Sequence, residues 1–382
     1  MRLRLTFTAI AAALALAACG GRDDAAPSAD AAKPDGAAER KVHIYTWSDY
    51  VPDDAVERFQ RETGIEATVD VYADNETLEA KLLAGQSGYD VIFPSAPFAQ
   101  AHIANNLYAT LDKSLLPQLG NIDPALAKGV TVADPDGTHL VPYMWGTTAI
   151  GINVGKVREI LGADAPLDTW GLFFDPAVSS KLAACGITVL DDQQEAFSAA
   201  LFWKGMDPNG MGNNEIEIVQ QVFAPIRDNI RYFNSSRYID DLANGEICVA
   251  MGYNGDIVQA RERAKEAGTG VEIAYIYPRE GAIRWFDTMA IPADAPNKTE
   301  AHAFINFLLT PEVIAPISEA IGYASANAAS KPLVSEAVRN DPAIYPPEDV
   351  VARLVDTRKL PMEENDARQR AWTSIKSGRD GE

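Results

Sequence analysis

Short β-rich runs alternate with helix-like segments along the chain from residue 41 onward. Four such runs stand in the first half of the sequence and two more follow later: KVHIYTW, EATVDVY, YDVIFP, TAIGIN, ICVAMGY and VEIAYIYP. This alternation is typical of an α/β fold in which helices cover a mainly parallel sheet. The 382 residues are enough for two comparable lobes. We therefore expect an α/β protein with more than one core.

Several helix-like segments carry residues that favour helix ends. In DDAVERFQRETG, Asp53 and Asp54 favour the positive N-terminal end, and Gly64 suits the C-terminal turn. In TPEVIAPISEAIG, Thr310 is placed as a cap before Pro311, which is favoured at the first helical position. The sequence predicts helices that begin and end at these residues.

The first forty residues are predicted to lie outside the folded core. Residues 1–18 have a basic start and a fourteen-residue uncharged stretch, which is typical of a secretory signal peptide and too short for a membrane span. The sequence LAAC that ends at Cys19 is similar to a bacterial lipobox, which predicts a lipid anchor on Cys19. An ordinary signal peptide that contains a cysteine is the alternative. Residues 19–40 have the composition of a flexible tether.

The charge of the chain restricts its partners. Its formal net charge is −21 at neutral pH, which argues against a nucleic-acid partner, because phosphates require a basic surface. A negative field favours the approach of cationic ligands, although acidity also serves solubility. The four histidines have no H-x-x-H spacing, and no cofactor-binding loop is recognisable, so neither a metal nor a cofactor is predicted.

Two cysteines follow the tether, Cys185 and Cys248. In an oxidising exported compartment they can form one disulfide. The alternative is that both thiols are free and buried.

Aromatic and acidic residues recur where the β-rich runs end. Ligands of open α/β sheets bind beyond the carboxyl ends of strands, so these positions are candidates for a binding site. The five places are Trp47-Ser48-Asp49-Tyr50, Ser95, Asp191-Asp192 with Glu195, Tyr253 with Asp256, and Trp285 with Asp287. Because side chains alternate along a strand, Trp285 and Asp287 should share one face, and Arg284 should point away from it.

This combination of residue types indicates a ligand with separated positive charges. Carboxylates pair with ammonium groups, while indole and phenol rings attract cations and pack against methylene groups. A linear diamine or triamine needs that alternation of charged and apolar surface. Each position also has a simpler interpretation: Asp192 as a helix cap, Trp285 as a core residue, and Tyr253 as an edge aromatic.

The chain resembles the periplasmic putrescine/spermidine-binding proteins of bacterial polyamine ABC transporters over nearly all of residues 41–376. The matching segments include YTWSDYVP, NETLEAKLLAGQSGYDVIFPSA, VPYMWGTTAIGIN, RYFNSSRYIDDLANGEICVAMGY and WFDTMAIPADA. The resemblance implies a two-lobed type II binding fold with two hinge crossings, near residues 146–148 and 283–286. The implied lobes are 41–146 plus 286–331, and 147–285 plus 332–376.

The resemblance also implies the ligand-binding residues. The matched positions are Trp47, Ser48, Asp49, Ser95, Glu195, Tyr253, Asp256, Trp285, Asp287 and Tyr323. We expect Asp49 and Asp287 to hold one amine, and Asp256 with Glu195 to hold the other. Cys185 and Cys248 match a disulfide-bonded pair in some members of the family.

Four positions depart from the family pattern. Tyr253 stands where a tryptophan is common, and Pro97 replaces a polar residue. Trp285 replaces the phenylalanine of the putrescine-preferring pattern, and Asp192 adds a carboxylate to the binding positions. A buried third ammonium group needs another anionic partner, so the last two departures favour spermidine.

The function implied is that of a monomeric, periplasmic, membrane-anchored solute receptor that delivers a polyamine to an ABC permease by closure of its lobes. A polyamine sensor with the same fold is the main alternative. A carboxylate-based hydrolase is disfavoured because no nucleophile motif is present, so the chain is not expected to be an enzyme. A metal-ion carrier of the same fold is disfavoured by the aromatic residues.

Overall fold

The computed structural model describes residues 40–378; the predicted signal peptide, Cys19 and the tether as far as residue 39 lie outside the described residues. The strands are β1 (Lys41–Trp47), β2 (Glu66–Tyr72), β3 (Val91–Ile92), β4 (Val141–Asn153), β5 (Ile187–Val189), β6 (Ile230–Phe233), β7 (Val249–Tyr253), β8 (Ile273–Ile276), β9 (Ala282–Met289), β10 (Ala324–Ser325) and β11 (Leu354–Asp356). Each β-rich run of the sequence therefore contains a strand, although YDVIFP forms only the two residues of β3.

Helices lie between most of these strands. They are α1 (Asp53–Thr63), α2 (Asn75–Leu83), α3 (Ala96–Ala104), α4 (Pro124–Val130), α5 (Val154–Leu161), α6 (Gly171–Phe174), α7 (Pro176–Leu182), α8 (Gln193–Trp203), α9 (Asn213–Phe223), α10 (Tyr238–Ala243), α11 (Asn254–Glu266), α12 (Lys298–Leu308), α13 (Pro311–Ile321), α14 (Glu336–Arg339), α15 (Glu348–Val351) and α16 (Met362–Ser377). Three short 3₁₀ segments add to them: Lys113–Leu115, Pro117–Asn121 and Ala224–Asn229. The predicted ends of α1 and α13 are confirmed: Gly64 follows α1 in the left-handed conformation, and α13 begins at Pro311 after Thr310.

The smaller sheet is parallel, with the order β2-β1-β3. Alternation along its central strand β1 buries Val42 and Ile44 in one apolar cluster and Tyr45 in another. An isolated antiparallel bridge between Ser95 and Asp287 brings the end of β9 alongside the residues that follow β3. The predicted parallel arrangement is confirmed for this sheet.

The larger sheet has the order β11-β9-β4-β7-β5-β6, and β8 and β10 also pair with β4. Its long strand β4 has thirteen residues, all of them buried. β4 is antiparallel to β7, β8, β9 and β10, whereas β5 is parallel to β6 and β7. This sheet is therefore mixed rather than mainly parallel, because its long strand β4 runs antiparallel to each of the four strands that pair with it.

The antiparallel pair β4–β9 connects two hydrophobic cores. Val141 and Met289 lie in the first core, to which β1, α1, α12 and α13 also contribute buried residues. Ile152 and Ile283 lie in the second core, which is formed with α8, α9, β5, β7 and α16. Midway between them, Gly146 pairs with Trp285. A rotation of one core against the other would have to bend this pair of strands, so the predicted hinges and lobe boundaries remain a proposal that fits this arrangement.

Cys185 and Cys248 form a disulfide, with their Cα atoms 5.7 Å apart, so the predicted bridge is confirmed. It joins the chain before β5 to the residue that precedes β7, within the second core. The alternative of two free thiols is thereby wrong.

Within residues 40–378, no single helix has the length and apolar composition needed to cross a membrane. The consecutive helices α12 and α13 would pass that test only as a pair, and they are bent by 74° to one another. Phe304 and Ile317 of these helices are buried in the first core.

Candidate functional site

The residues predicted from strand ends gather where the two cores meet. Hydrogen bonds and ring contacts join the loop after β1, the residues after β3, the start of α11 and the middle of β9. The N-terminus of α8 lies within electrostatic reach of the same group through Glu195 and Tyr253. The structure therefore brings together side chains that are separated by as many as 276 positions, from Trp47 to Tyr323.

Asp287 is a buried carboxylate that two hydroxyl groups hold in place. Ser95 Oγ donates to Oδ1 at 2.7 Å, and the Tyr50 hydroxyl donates to Oδ2 at 2.8 Å. Asn75 Nδ2 donates in turn to Ser95 Oγ at 3.2 Å. Burial raises the pKa of Asp287 to about 6, although the hydrogen bonds from Ser95 and Tyr50 favour the ionised form.

Asp256, in the first turn of α11, has the same kind of environment. The Tyr238 hydroxyl donates to Oδ2 at 2.6 Å, and the Tyr323 hydroxyl donates to Oδ1 at 2.7 Å. Burial raises the pKa of Asp256 to about 6, and the negative charge of Asp49 contributes to the rise. The negative charge of Asp49 thus acts on Asp256, and its expected pairing with Asp287 stays a prediction.

Asp192 and Glu195 form an acidic pair at the start of α8. Asp192 caps this helix, because its Oδ1 accepts from the backbone N–H groups of Gln194 at 2.9 Å and Glu195 at 3.1 Å. The capping interpretation of Asp192 is therefore confirmed, but both bonds go to one oxygen and leave Oδ2 available. Glu195 is 7% exposed, and its Oε2 has no hydrogen-bond partner. Burial and the charge of Asp192 raise the pKa of Glu195 to about 8.

Three aromatic rings form a wall between these carboxylates. Trp285 meets Tyr253 at 5.8 Å and Tyr323 at 5.3 Å between ring centroids, in both cases edge to face. The indole Nε1 of Trp285 is buried and has no hydrogen-bond partner. Gly146 makes room for this ring, since a Cβ at that position would lie 2.4 Å from the indole.

The loop after β1 has a half-buried aromatic residue and two exposed polar ones. Trp47 Nε1 donates to the Phe93 carbonyl at 2.9 Å, and its ring centroid lies 4.6 Å from that of Tyr72. Ser48 and Asp49 are exposed, and Asp49 has a φ of 55°, in the left-handed region. The indole is therefore fixed, whereas the hydroxyl and the carboxylate remain accessible.

Two residues of this region are not predicted from the sequence. Tyr238 holds Asp256 from α10, but in RYIDDLA it has the pattern of an ordinary core residue. Glu76, in the first turn of α2, keeps solvent contact, yet desolvation and the charge of Asp192 raise its pKa to about 7. It resembles any acidic residue at a helix start, so the sequence has no signal for its nearness to Asp192.

The site holds an excess of negative charge. Among residues 40–378, no lysine, arginine or histidine forms an ion pair with Asp287, Asp256 or Glu195. Arg284 pairs with Asp356, donating from Nε to Oδ1 at 2.6 Å and from Nη2 to Oδ2 at 3.0 Å. Its side chain therefore points away from the acidic site, as predicted. Buried carboxylates without an ion-pair partner favour a cationic ligand. No group of three or more potential metal ligands is present in the described part of the chain.

The sequence matches a family of known proteins over most of its length. The model of the bacterial extracellular solute-binding proteins matches residues 54–346. The chain is 48% identical over 345 residues to the putrescine-binding periplasmic protein PotF of Escherichia coli, covering 90% of this chain and 93% of PotF. It is also 48% identical over 344 residues to the putrescine-binding periplasmic protein SpuD of Pseudomonas aeruginosa, covering 90% and 94%.

Solved structures share the fold. The spermidine/putrescine ABC transporter substrate-binding protein PotD of Streptococcus pneumoniae, solved with calcium and HEPES, superposes with a TM-score of 0.74 at 25% identity. The match covers 89% of this chain and all of that one.

Proposed function

Because this chain belongs to the bacterial extracellular solute-binding proteins, we propose that it is a polyamine receptor of an ABC transporter. It has the two-lobed α/β fold of that family, and its relatives are binding proteins rather than enzymes. The observation that supports the proposal most directly is the set of uncompensated carboxylates, Asp287, Asp256 and Glu195, beside a wall of aromatic rings.

The ammonium groups of the ligand would replace the missing counter-charges. One would bind at Asp287 and a second between Asp256 and Glu195, with Asp49 adding negative charge from the loop after β1. The methylene chain would pack against Trp285, Tyr253 and Tyr323, and Trp47 would close the other side. Each charge-assisted hydrogen bond contributes about 1.5–3 kcal/mol, so a few suffice for micromolar affinity or better.

A third ammonium group has a place at the start of α8. Asp192 keeps one carboxylate oxygen free of hydrogen bonds, and Glu195 has an oxygen without a partner. Trp285 offers a larger ring surface to a longer methylene chain than phenylalanine would. We therefore propose that the receptor binds spermidine more tightly than putrescine, although PotF and SpuD are named for putrescine.

Closure of the two lobes would capture the ligand and present the closed form to a membrane permease. The β4–β9 pair, with Gly146 at its centre, is the element that would bend. Because the relatives are periplasmic proteins, we place the receptor in the periplasm, tethered by a lipid on Cys19 and acting as a monomer.

Isothermal titration calorimetry tests this function. The chain from residue 19 with Cys19→Ser would be titrated with putrescine, cadaverine, spermidine and spermine. We expect micromolar or tighter binding of putrescine and spermidine, with spermidine preferred, and a smaller preference in Trp285→Phe. No heat with any of the four amines would overturn the proposed function. An unchanged spermidine-to-putrescine ratio in Trp285→Phe would overturn the specificity argument alone.

A further inference from the structure

A second feature lies beside Trp285, where a cavity of about 680 Å³ opens along β9. Its walls come from α3 and α4, which pack in a third apolar cluster with Tyr45 and Phe286, and from the residues at and after β11, where Val355 packs against the second core. Trp285 and Pro97 belong to its lining, so the cavity borders the aromatic wall of the acidic site. We call it the vestibule.

The vestibule is basic, in contrast to the acidic site. Lys128, Arg358 and Lys359 line it, are exposed, and form no ion pair with any described residue. A fourth lining cation, Arg284, is neutralised by Asp356. Three unpaired cations around one cavity stand out in a chain with a net charge of −21.

One hydrogen bond and one electrostatic effect locate two of these cations relative to the neighbouring helices. Gln194, in the first turn of α8, donates from Nε2 to the Arg358 carbonyl at 2.8 Å. This bond holds the backbone of Arg358 beside the start of α8, where Asp192 caps the helix. Lys359 acts on α3, because two causes lower the pKa of His102 to about 4: first the burial of the imidazole, and second the positive charge of Lys359. Because Gln194 holds the Arg358 backbone beside the start of α8, and Trp285 belongs to both the aromatic wall and the vestibule, a ligand longer than the acidic site would reach the vestibule here.

We propose that the vestibule is an end subsite that rejects an ammonium group and accepts an uncharged or anionic one. This inference rests on the proposed function and specifies its substrate class. An ammonium entering the vestibule meets three like charges, whereas a carboxylate there gains three opposite ones. The receptor then takes diamines, triamines whose charges fit the acidic site, and polyamines acylated at one end. Spermine, with a fourth ammonium group, is disfavoured.

Charge reversal of the vestibule tests the inference. The test variant carries Lys128→Glu, Arg358→Glu and Lys359→Glu. The control variant carries Lys181→Glu, Lys204→Glu and Lys298→Glu, three exposed lysines outside the vestibule that also lack ion pairs among the described residues. Both variants change the net charge equally, so the long-range field acts alike on both.

Calorimetry with putrescine, spermine and N-succinylputrescine gives the readout. N-succinylputrescine has one ammonium group and one terminal carboxylate. Relative to the control, we expect the test variant to bind spermine about ten-fold more tightly and N-succinylputrescine about ten-fold more weakly, with putrescine within about two-fold. These differences should shrink in high salt, because the Debye length falls to about 3 Å at 1 M.

Equal spermine-to-putrescine ratios in the two variants would overturn the inference, as would equal affinities for N-succinylputrescine. Retained putrescine binding shows that the test variant is folded. If it loses putrescine binding, the single variant Lys359→Gln replaces it, with Lys204→Gln as control and a shift in the same direction expected. A wild-type protein that binds no putrescine would instead overturn the proposed function.

Discussion

The Tyr50 hydroxyl donates a 2.8 Å hydrogen bond to Oδ2 of Asp287, a residue 237 positions further along the chain. Ser95 holds the other carboxylate oxygen at 2.7 Å. Because both donors favour the ionised carboxylate, they oppose the burial that raises the pKa of Asp287 to about 6. Tyr50 thus supports the site without needing to touch the ligand.

Tyr50→Phe should weaken polyamine binding. Removing the hydroxyl takes away a donor to a buried carboxylate, a loss of about 1–3 kcal/mol or roughly ten-fold in affinity. The pKa of Asp287 should also rise, so the loss should be larger at about pH 6 than at about pH 8. Calorimetry at both pH values measures this. Tyr232→Phe is the control, since its hydroxyl donates to Asp241 outside the site at 2.7 Å, and equal effects of the two variants would contradict the role of Tyr50.

The three buried carboxylates of the site should make the ligand-free protein less stable as the pH rises from about 4 to about 8. Burial raises the pKa of Asp256 and Asp287 to about 6 from 3.8, and that of Glu195 to about 8 from 4.5. In this interval the folded protein keeps protons that the unfolded chain has already released, so these groups lower the free energy of unfolding as the pH increases.

Glu195→Gln isolates this effect from the other carboxylates. Without a ligand, its melting temperature should exceed that of the wild type at about pH 8 and equal it at about pH 4, because the difference grows as Glu195 ionises. The same variant should bind polyamines more weakly at about pH 8. A melting-temperature difference that does not depend on pH would contradict the assigned environment of Glu195.

Gly146→Ala should disturb the aromatic wall. A Cβ at residue 146 would lie 2.4 Å from Cζ2 of Trp285 and 2.5 Å from Oδ1 of Asn254, so the indole would have to move into the site. Overpacking of this kind costs about 1–3 kcal/mol, and polyamine affinity should fall about ten-fold. Gly120→Ala is the matched control, because a Cβ there meets nothing within 4 Å. Equal polyamine affinities for the two variants would refute the predicted displacement.

Asp192→Asn separates helix capping from ligand binding. Asparagine caps helices about as well as aspartate, so α8 should keep its stability while the charge is lost. We expect spermidine affinity to fall about ten-fold and putrescine affinity to change little. Asp192→Ala should lower the melting temperature as well. If Asp192→Asn binds spermidine like the wild type, Asp192 acts as a cap only.

Loss of the disulfide should lower stability without changing the site. Cys185 and Cys248 are 63 positions apart, and removing a bridge over such a loop costs about 2–4 kcal/mol. The bridge lies before β7, whereas Tyr253 is the last residue of that strand and Asp256 follows it in α11. Urea unfolding of Cys185→Ala/Cys248→Ala should show the loss, and calorimetry should show unchanged polyamine affinity. A large fall in affinity would mean that the bridge shapes the site.

The sequence predicts local structure well because local structure depends on neighbours in the chain. β-rich runs placed β1 and β7, and capping residues placed the ends of α1 and α13. The aromatic and acidic residues at strand ends also indicated a cationic ligand before any contact was known. Short strands such as β3 were overestimated, since apolar runs continue past the residues that pair.

The tertiary structure alone decided which residues support the acidic site and which residues border it. Tyr238, Glu76 and Gly146 have ordinary sequence patterns and gain a role only from what packs against them. The vestibule joins segments more than 200 positions apart, and no local pattern relates Lys128 to Lys359. The sequence by itself determined the fold class and the sign of the charge proposed for the ligand, because both follow from residue type and periodicity. Three-dimensional packing decided which carboxylates stay uncompensated and which cations border them, because charge effects depend on distance in space.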